Sequence, residues 1–346
     1  MRIGLIARCD STGLGIQSKE FFDHVPCKAL VIDFQAMAPN KQYAEILKPN
    51  LDWYPGQRFF KWGNVHNVSG DIPTGVIIEF LEGVDVVFAM ETPYDYDIFR
   101  ISRARGIKTV LQLNYEFLDF PSRRLVPPDL FAAPSLWNFD KIPDKKIFLP
   151  VPVNCDKAPI SGVNKGRFLH IAGRPAHGDR NGTNLLLKAL KYVKSEITMV
   201  IKSQRPISIP PLPKNITIEV DSSNKKNYFD NYITGGTLVL PRKYGGLCLP
   251  INEALACEMP VITTNISPNN LWLPNEWLVD CLHIGSFQCK KKIDIYEAKL
   301  LNLAEKIDQF NNHEFYLQAI SKAREIKKTI SWHTLKDLYI DKLNSL

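Results

Sequence analysis

The stretch PRKYGGLCLPINEALACEMPVITTN, residues 241–265, decides how this chain reads. The run GTLVLPRKY (236–244) carries a strand that ends at Pro241. A glycine-bearing loop, Gly245-Gly246-Leu247-Cys248, follows. A helix is expected over LPINEALACE (249–258), with Pro250 near its first turn, where a missing N–H costs nothing. MPVITTN (259–265) is the next strand. A helix N-terminus that follows glycines presents free N–H groups and the positive end of the dipole, which suits a phosphate. Glu253 is expected in the first helical turn. The spacing leaves two roles open for it: accepting hydrogen bonds from the vicinal hydroxyls of a ribose, or complementing the helix dipole.

The same strand-loop-helix grammar extends outward. GRFLHIAG (166–173) reads as a strand and TNLLLKALKYVKS (183–195) as an amphipathic helix. EITMVIKS (196–203) and NITIEVD (215–221) are further strands. In the first half, RIGLIA (2–7), KALVIDF (28–34), VDVVFAM (84–90), KTVLQLN (108–114), DLFAAPS (129–135) and KIFLPVP (146–152) are short apolar runs with polar ends. Such runs fit parallel sheets covered on both faces. GIQSKEFFDHV (15–25) and YDIFRISRARG (96–106) are helix candidates, the second stopping at Gly106. Two βα-alternating halves imply an α/β protein of two Rossmann-like, doubly wound domains facing a cleft. The expected division is 1–152, 153–325 and a C-terminal helix, 326–346, packing back on the first domain. A proline-rich linker lies at PVPVNCDKAP (150–159), and the tail from Ile295 onward is read as helical, with Trp332 and Leu335 on its apolar side.

Bulk properties agree. A length of 346 residues suits two domains of about 150 residues each. The hydrophobic share of 45% and charged share of 23% are those of an ordinary globular protein. There is no apolar run long enough for a membrane-spanning helix, and the N-terminal run reads as a buried strand rather than a signal peptide. Seven scattered cysteines with no CxxC pair argue for reduced, buried thiols and a cytoplasmic setting. The net charge of +7 suits anionic substrates without choosing among them.

The 241–265 segment resembles the donor-binding signature of the family-four group of retaining GT-B glycosyltransferases, roughly P-x-x-x-E-G-F-G-L-P-x-x-E-A-M-A-x-G-x-P-V. Pro241, Gly246, Leu249, Pro250, Glu253, Ala254, Ala256, Pro260 and Val261 match it. The resemblance implies that Glu253 binds the donor ribose. The signature's first glutamate, which faces the transferred sugar in relatives, is replaced here by Gly245. HIAGRPAHGDRNGTNLLLKAL (170–190) resembles the same family's G-R-x-x-x-x-K-G-x-x-x-L-x-x-A-L segment. The resemblance gives Arg174 the role of one diphosphate cation. The family's lysine aligns with Asn181, which the resemblance makes a donor contact together with Gly245, and neighbouring Arg180 stands in as the second cation, the alternative being a solvated loop charge. Fixed cations are what a departing diphosphate requires. Gly246, Leu247 and Cys248 complete the expected donor loop. RCDSTGLGIQ (8–17) puts Gly13, Leu14 and Gly15 between strand and helix, where relatives have a glycine-rich first loop.

The implied activity is transfer of a sugar from a UDP- or GDP-sugar to an acceptor hydroxyl with retention, without metal or cofactor. Glu91, after VDVVFAM, and Asn114 and Glu116, after KTVLQL, lie at strand ends where such folds place ligands and are the catalytic candidates, with positioning or structural roles as the alternative. His66 is a loop candidate, and His170 reads as a satisfied core histidine. Asp95 and Asp97 have DxD spacing but precede a helix in the first half. Ser267-Pro268-Asn269-Asn270 is turn chemistry. The expected acceptor is a glycan, lipid-linked or free. A hydroxymethylated base in DNA is the alternative, prompted by RFFKW (58–62) and the basic clusters at 123–124, 145–146, 225–226 and 290–292. A catalytically silent nucleotide-sugar-binding protein is the alternative of another class, prompted by Gly245.

Overall fold

A computed structural model of the chain describes residues 1–63, 70–120, 125–143, 145–173, 178–204, 206–223, 225, 227–233 and 236–346. Two compact units emerge, Met1–Val151 with Leu335–Leu346, and Pro152–Thr334.

In the first unit, strands β1 (Ile3–Arg8), β2 (Cys27–Asp33), β3 (Arg58–Lys61), β4 (Val86–Met90), β5 (Lys108–Gln112), β6 (Leu130–Ala133) and β7 (Lys146–Phe148) form one sheet. Their order is β3-β2-β1-β4-β5-β6-β7, and every neighbouring pair is parallel. Helices α1 (Gly13–His24), α2 (Lys41–Ile46), α3 (Thr74–Leu81) and α4 (Asp97–Ala104) lie between them in sequence. The central strands are continuous apolar runs because helices hide both faces; all of β4 is buried. Phe21 of α1 stacks on Phe88 of β4 at 4.9 Å. The chain's last helix supplies Tyr339, which meets both rings edge-on and donates its hydroxyl to the Pro150 carbonyl at 3.1 Å. Burying aromatic side chains of this size contributes about 1.5–3 kcal/mol each.

The second unit repeats the winding. Strands β8 (Arg167–Gly173), β9 (Ile197–Ser203), β10 (Ile216–Asp221), β11 (Thr237–Leu240), β12 (Val261–Thr264) and β13 (Leu278–Val279) are ordered β10-β9-β8-β11-β12-β13, again all parallel. Helices α5 (Thr183–Ala189) and α6 (Leu249–Ala256) follow β8 and β11. A two-stranded antiparallel hairpin, β14 (Cys281–Gln288) with β15 (Lys292–Ala298), precedes α7 (Leu300–Phe310), α8 (His313–Thr329) and α9 (Trp332–Asn344). The expected pair of doubly wound parallel sheets is therefore present.

RFFKW supplies the edge strand β3, Arg58–Lys61, followed by buried Trp62. Two local readings are corrected. Residues from Ile295 to Ala298 are strand rather than helix: in KIDIYEA, Ile293 and Ala298 are buried, Asp294 is exposed and Ile295, Tyr296 and Glu297 are half-buried, a hairpin pattern without clean alternation. The helix from Thr183 tightens into a 3-10 turn at Leu190–Tyr192.

Candidate functional site

In a doubly wound sheet, ligands bind beyond the carboxyl ends of the strands where the strand order reverses. In the second unit that point lies between β8 and β11. The loops leaving these two strands are the two segments the sequence singled out, and they abut. A Cβ on Gly182, at φ +74°, would lie 2.2 Å from the Pro241 carbonyl oxygen. The Lys243 N–H donates to the Arg180 carbonyl at 2.9 Å.

The first loop is held from within. Asp179, at φ 62°, accepts from the N–H groups of Thr183 and Asn184 at 2.8 and 2.9 Å. It caps α5, so those N–H groups are already satisfied. Asn181 donates through Nδ2 to the carbonyls of Ile171 and Ala172, tying the loop to β8. His170 is wholly buried between the Val239 carbonyl and Thr183 Oγ1, each at 2.8 Å, and burial pushes its pKa down to about 4. It is a neutral core histidine.

The second loop differs. No side chain caps α6, whose N-terminus is Cys248 followed by Leu249-Pro250. Against the loop that leads to it, Arg180 holds its guanidinium 4.9 Å from the Tyr244 ring centroid and donates Nε to the Tyr244 carbonyl at 3.4 Å. Sequence reasoning missed Arg242. It is buried, and its Nε and Nη2 donate to the carbonyls of Tyr244 and Leu247 at 2.8 and 3.2 Å. Gly245 lies between the two arginines at φ +115°. A Cβ there would meet Nη2 of Arg180 at 2.2 Å and Nη2 of Arg242 at 2.4 Å. Gly245 thus has both a backbone and a steric reason to be glycine. Gly246 and Cys248 are buried and Leu247 is half-buried.

Because α6 starts at Leu249, Glu253 sits in its second turn, not the first. Its Oε2 accepts the hydroxyl of Tyr232, a buried side chain just past the 3-10 turn Tyr228–Asn231 that follows β10. Part of Glu253 reaches solvent, yet its surroundings are apolar enough to push the carboxyl up to about 7 by desolvation, against the opposing hydrogen bond from Tyr232. The carboxyl is therefore held in one orientation by Tyr232.

The first unit has its own switch point, between β1 and β4. After β1, Asp10 accepts Nε and Nη2 of Arg8 at 2.7 and 2.5 Å and the Thr12 N–H at 3.0 Å. Thr12 caps α1 through Gly15 N–H. A Cβ on Gly15 would fall 1.9 Å from the Asp10 carbonyl oxygen, so only glycine lets the helix approach the strand. Gly13 is exposed and Leu14 half-buried at the same turn. After β4, Glu91 adopts φ 62°, and after β5 Asn114 donates through Nδ2 to Glu91 Oε1 at 2.6 Å. Glu116 is buried in the following 3-10 turn. A non-glycine residue held in the left-handed region at a strand end is backbone strain of the sort found at ligand sites. Asp95 is fully buried and accepts the N–H groups of Gly70, Ile72 and Asp97, which makes it a loop anchor. Among the described residues no group of three or more His, Cys, Asp or Glu could hold a metal ion, and no helix is long and apolar enough to cross a membrane.

Elsewhere, Asn269 folds the 267–270 turn onto β12 through Thr263 Oγ1 and the Thr264 carbonyl. Lys146, Lys225 and Lys292 lie on separate strands or loops, and Lys225 pairs with Asp221 at 3.3 Å. All seven cysteines are free, with Cys27, Cys281 and Cys289 half-buried. Arg174, His66 and the arginines at 123–124 lie outside the described residues.

No family model matches the chain, and neither does any curated protein. Solved structures do. HepE from Anabaena, crystallised with UDP and glucose, superposes with a TM-score of 0.66 at 11% identity over 100% of both chains. Sucrose-phosphate synthase from Thermosynechococcus elongatus gives 0.65 at 14% identity, again over 100% of both. The lipopolysaccharide outer core galactosyltransferase WaaB gives 0.59 at 12% identity over 100% of both. At such identities the likeness concerns the path of the backbone, and that path, two Rossmann-like units with the same winding, is the GT-B fold.

Proposed function

We propose that the chain is a glycosyltransferase that moves a sugar from a UDP- or GDP-sugar to an acceptor hydroxyl with retention of configuration. The observation that carries this is the abutment of the two loops at the β8/β11 switch point, which puts Arg180 against the Tyr244-Gly245 loop that leads into the N-terminus of α6. Arg180, Arg174 and the positive dipole end of α6, which no side chain caps, hold the diphosphate and stabilise it as it leaves. Glu253, oriented by Tyr232, takes the ribose hydroxyls. No metal is required, because guanidinium groups and a helix end supply the positive charge. In the first unit, Glu91, fixed by Asn114, faces the acceptor hydroxyl. The acceptor is a glycan, and the setting is the cytoplasm.

A screen of nucleotide sugars by thermal shift tests the reading. A bound donor at 100 times its Kd raises stability by about 2.7 kcal/mol. Arg180→Ala and Glu253→Ala should abolish the shift, and a shift that survives both removes the site. Slow release of nucleoside diphosphate from the bound donor is expected of a working enzyme. Binding without any release would make the chain a silent receptor for nucleotide sugars.

A further inference from the structure

Two cationic side chains converge on the one residue of the donor loop that has no side chain. Both Nη2 atoms lie within van der Waals overlap of the position a Gly245 Cβ would take, at 2.2 Å for Arg180 and 2.4 Å for Arg242, so the two guanidinium groups are close neighbours. Like charges at this separation repel, more so away from water. The fold nevertheless fixes them there. Both donate Nε to the same carbonyl, that of Tyr244; Arg242 is held again by the Leu247 carbonyl, and Arg180 by the Tyr244 ring. Arg242 is 6% exposed, and among the described residues no carboxylate forms an ion pair with it. The intervening cation is treated differently: Lys243 pairs with Glu297 at 3.4 Å. A buried charge without a counter-ion is costly unless a ligand supplies one.

We propose that Arg180 and Arg242 form a paired-guanidinium site for an oxyanion of the donor, and that Gly245 is glycine to leave that volume to the arginines and their ligand. The proposal rests on the donor-loop reading above. It adds Arg242 as a binding residue and makes this corner of the site a receptor for negative charge. A guanidinium presents parallel N–H groups that match phosphate and carboxylate oxygens alike. The oxyanion therefore has two sources, the distal phosphate of the nucleoside diphosphate or the carboxylate of an acidic sugar such as a uronate.

Calorimetric titrations of the full chain with inorganic pyrophosphate, UMP, UDP, UDP-glucose and UDP-glucuronate, and with the guanosine counterparts, test it. Arg242→Gln and Arg180→Gln should each weaken pyrophosphate by about tenfold or more, the loss expected for a charge-assisted hydrogen bond. Arg242→Lys should recover part of the loss. Circular dichroism checks that the variants are folded, and Arg180, half-buried, keeps the test available if the buried Arg242→Gln is not. A phosphate source appears as a collapse of the preference for diphosphate over monophosphate nucleotides in Arg242→Gln. A carboxylate source appears as a collapse of the preference for the glucuronate over the glucose donor. Pyrophosphate binding that needs both arginines, with no nucleotide bound, would uphold the anion site and sink the donor reading. Unchanged pyrophosphate and nucleotide affinities in both glutamine variants would overturn the proposal while leaving the donor reading standing.

Discussion

Replacing Glu253 by glutamine should stabilise the protein at pH 8 and leave it unchanged near pH 4. In the native state desolvation raises this carboxyl from its ordinary value of 4.5 to about 7. At about 1.4 kcal/mol per pH unit, ionising it in the folded state costs about 3 kcal/mol. Part of the residue reaches solvent, which brings the expected figure to about 2 kcal/mol. Between 4.5 and about 7 the native protein holds a proton that the unfolded chain has lost. Stability therefore falls as pH rises through that window, and the whole penalty is present above it. Glutamine carries no charge and still accepts from Tyr232, so it removes the penalty and keeps the hydrogen bond. For a unit of this size the gain is a Tm increase of about 4–8 °C at pH 8. Scanning calorimetry from pH 4 to pH 8.5 measures it. An equal gain at both ends of the range, or a loss at pH 8, would refute the claim that burial strains this carboxylate. Such a penalty persists in a protein only where ionised Glu253 has a task, and donor binding should weaken in the same variant.

Other consequences can be measured independently. His170, held neutral with its pKa pushed down to about 4 from 6.5, contributes stability that is complete above 6.5 and lost as pH falls toward 4; in a Glu253→Gln background this slope should appear in stability-versus-pH curves, and His170→Gln should erase it. Gly182→Ala drives a Cβ into the Pro241 carbonyl at a positive φ, and should cost about 2–4 kcal/mol in denaturant unfolding together with any nucleotide-dependent thermal shift. Asp179→Gly suits the backbone at φ 62° but leaves the N–H groups of Thr183 and Asn184 without their acceptor, so urea titration should show a loss of about 1 kcal/mol, and no loss would mean that the cap is idle.

Most of the fold was legible because parallel strands hidden on both faces must be continuous apolar runs, and β1, β4, β8 and β9 are just that. The hairpin β14–β15 escaped because its strands lack clean alternation, with Leu282 and Ile284 exposed. In the site, Asn181 was read as a donor contact from its place in a resembling motif. The tertiary structure shows its amide engaged with β8, which no local pattern encodes. Glu253 was placed one helical turn too early: the helix starts at Leu249, as expected, and at 3.6 residues per turn its fifth residue already lies in the second turn.

The sequence by itself determined the two doubly wound halves and the glycine loop ahead of a helix, features written in periodicity and in the backbone freedom of particular residue types, both of which are local. A family resemblance, not a local pattern, associated that loop with the basic segment at 170–190. Only the tertiary structure decided which charges meet. Arg180 and Arg242 belong to different loops, and their convergence on Gly245 follows from the adjacency of β8 and β11. Electrostatics acts through space, so a residue's chemical partners are settled only after strands distant in sequence have become neighbours in the sheet.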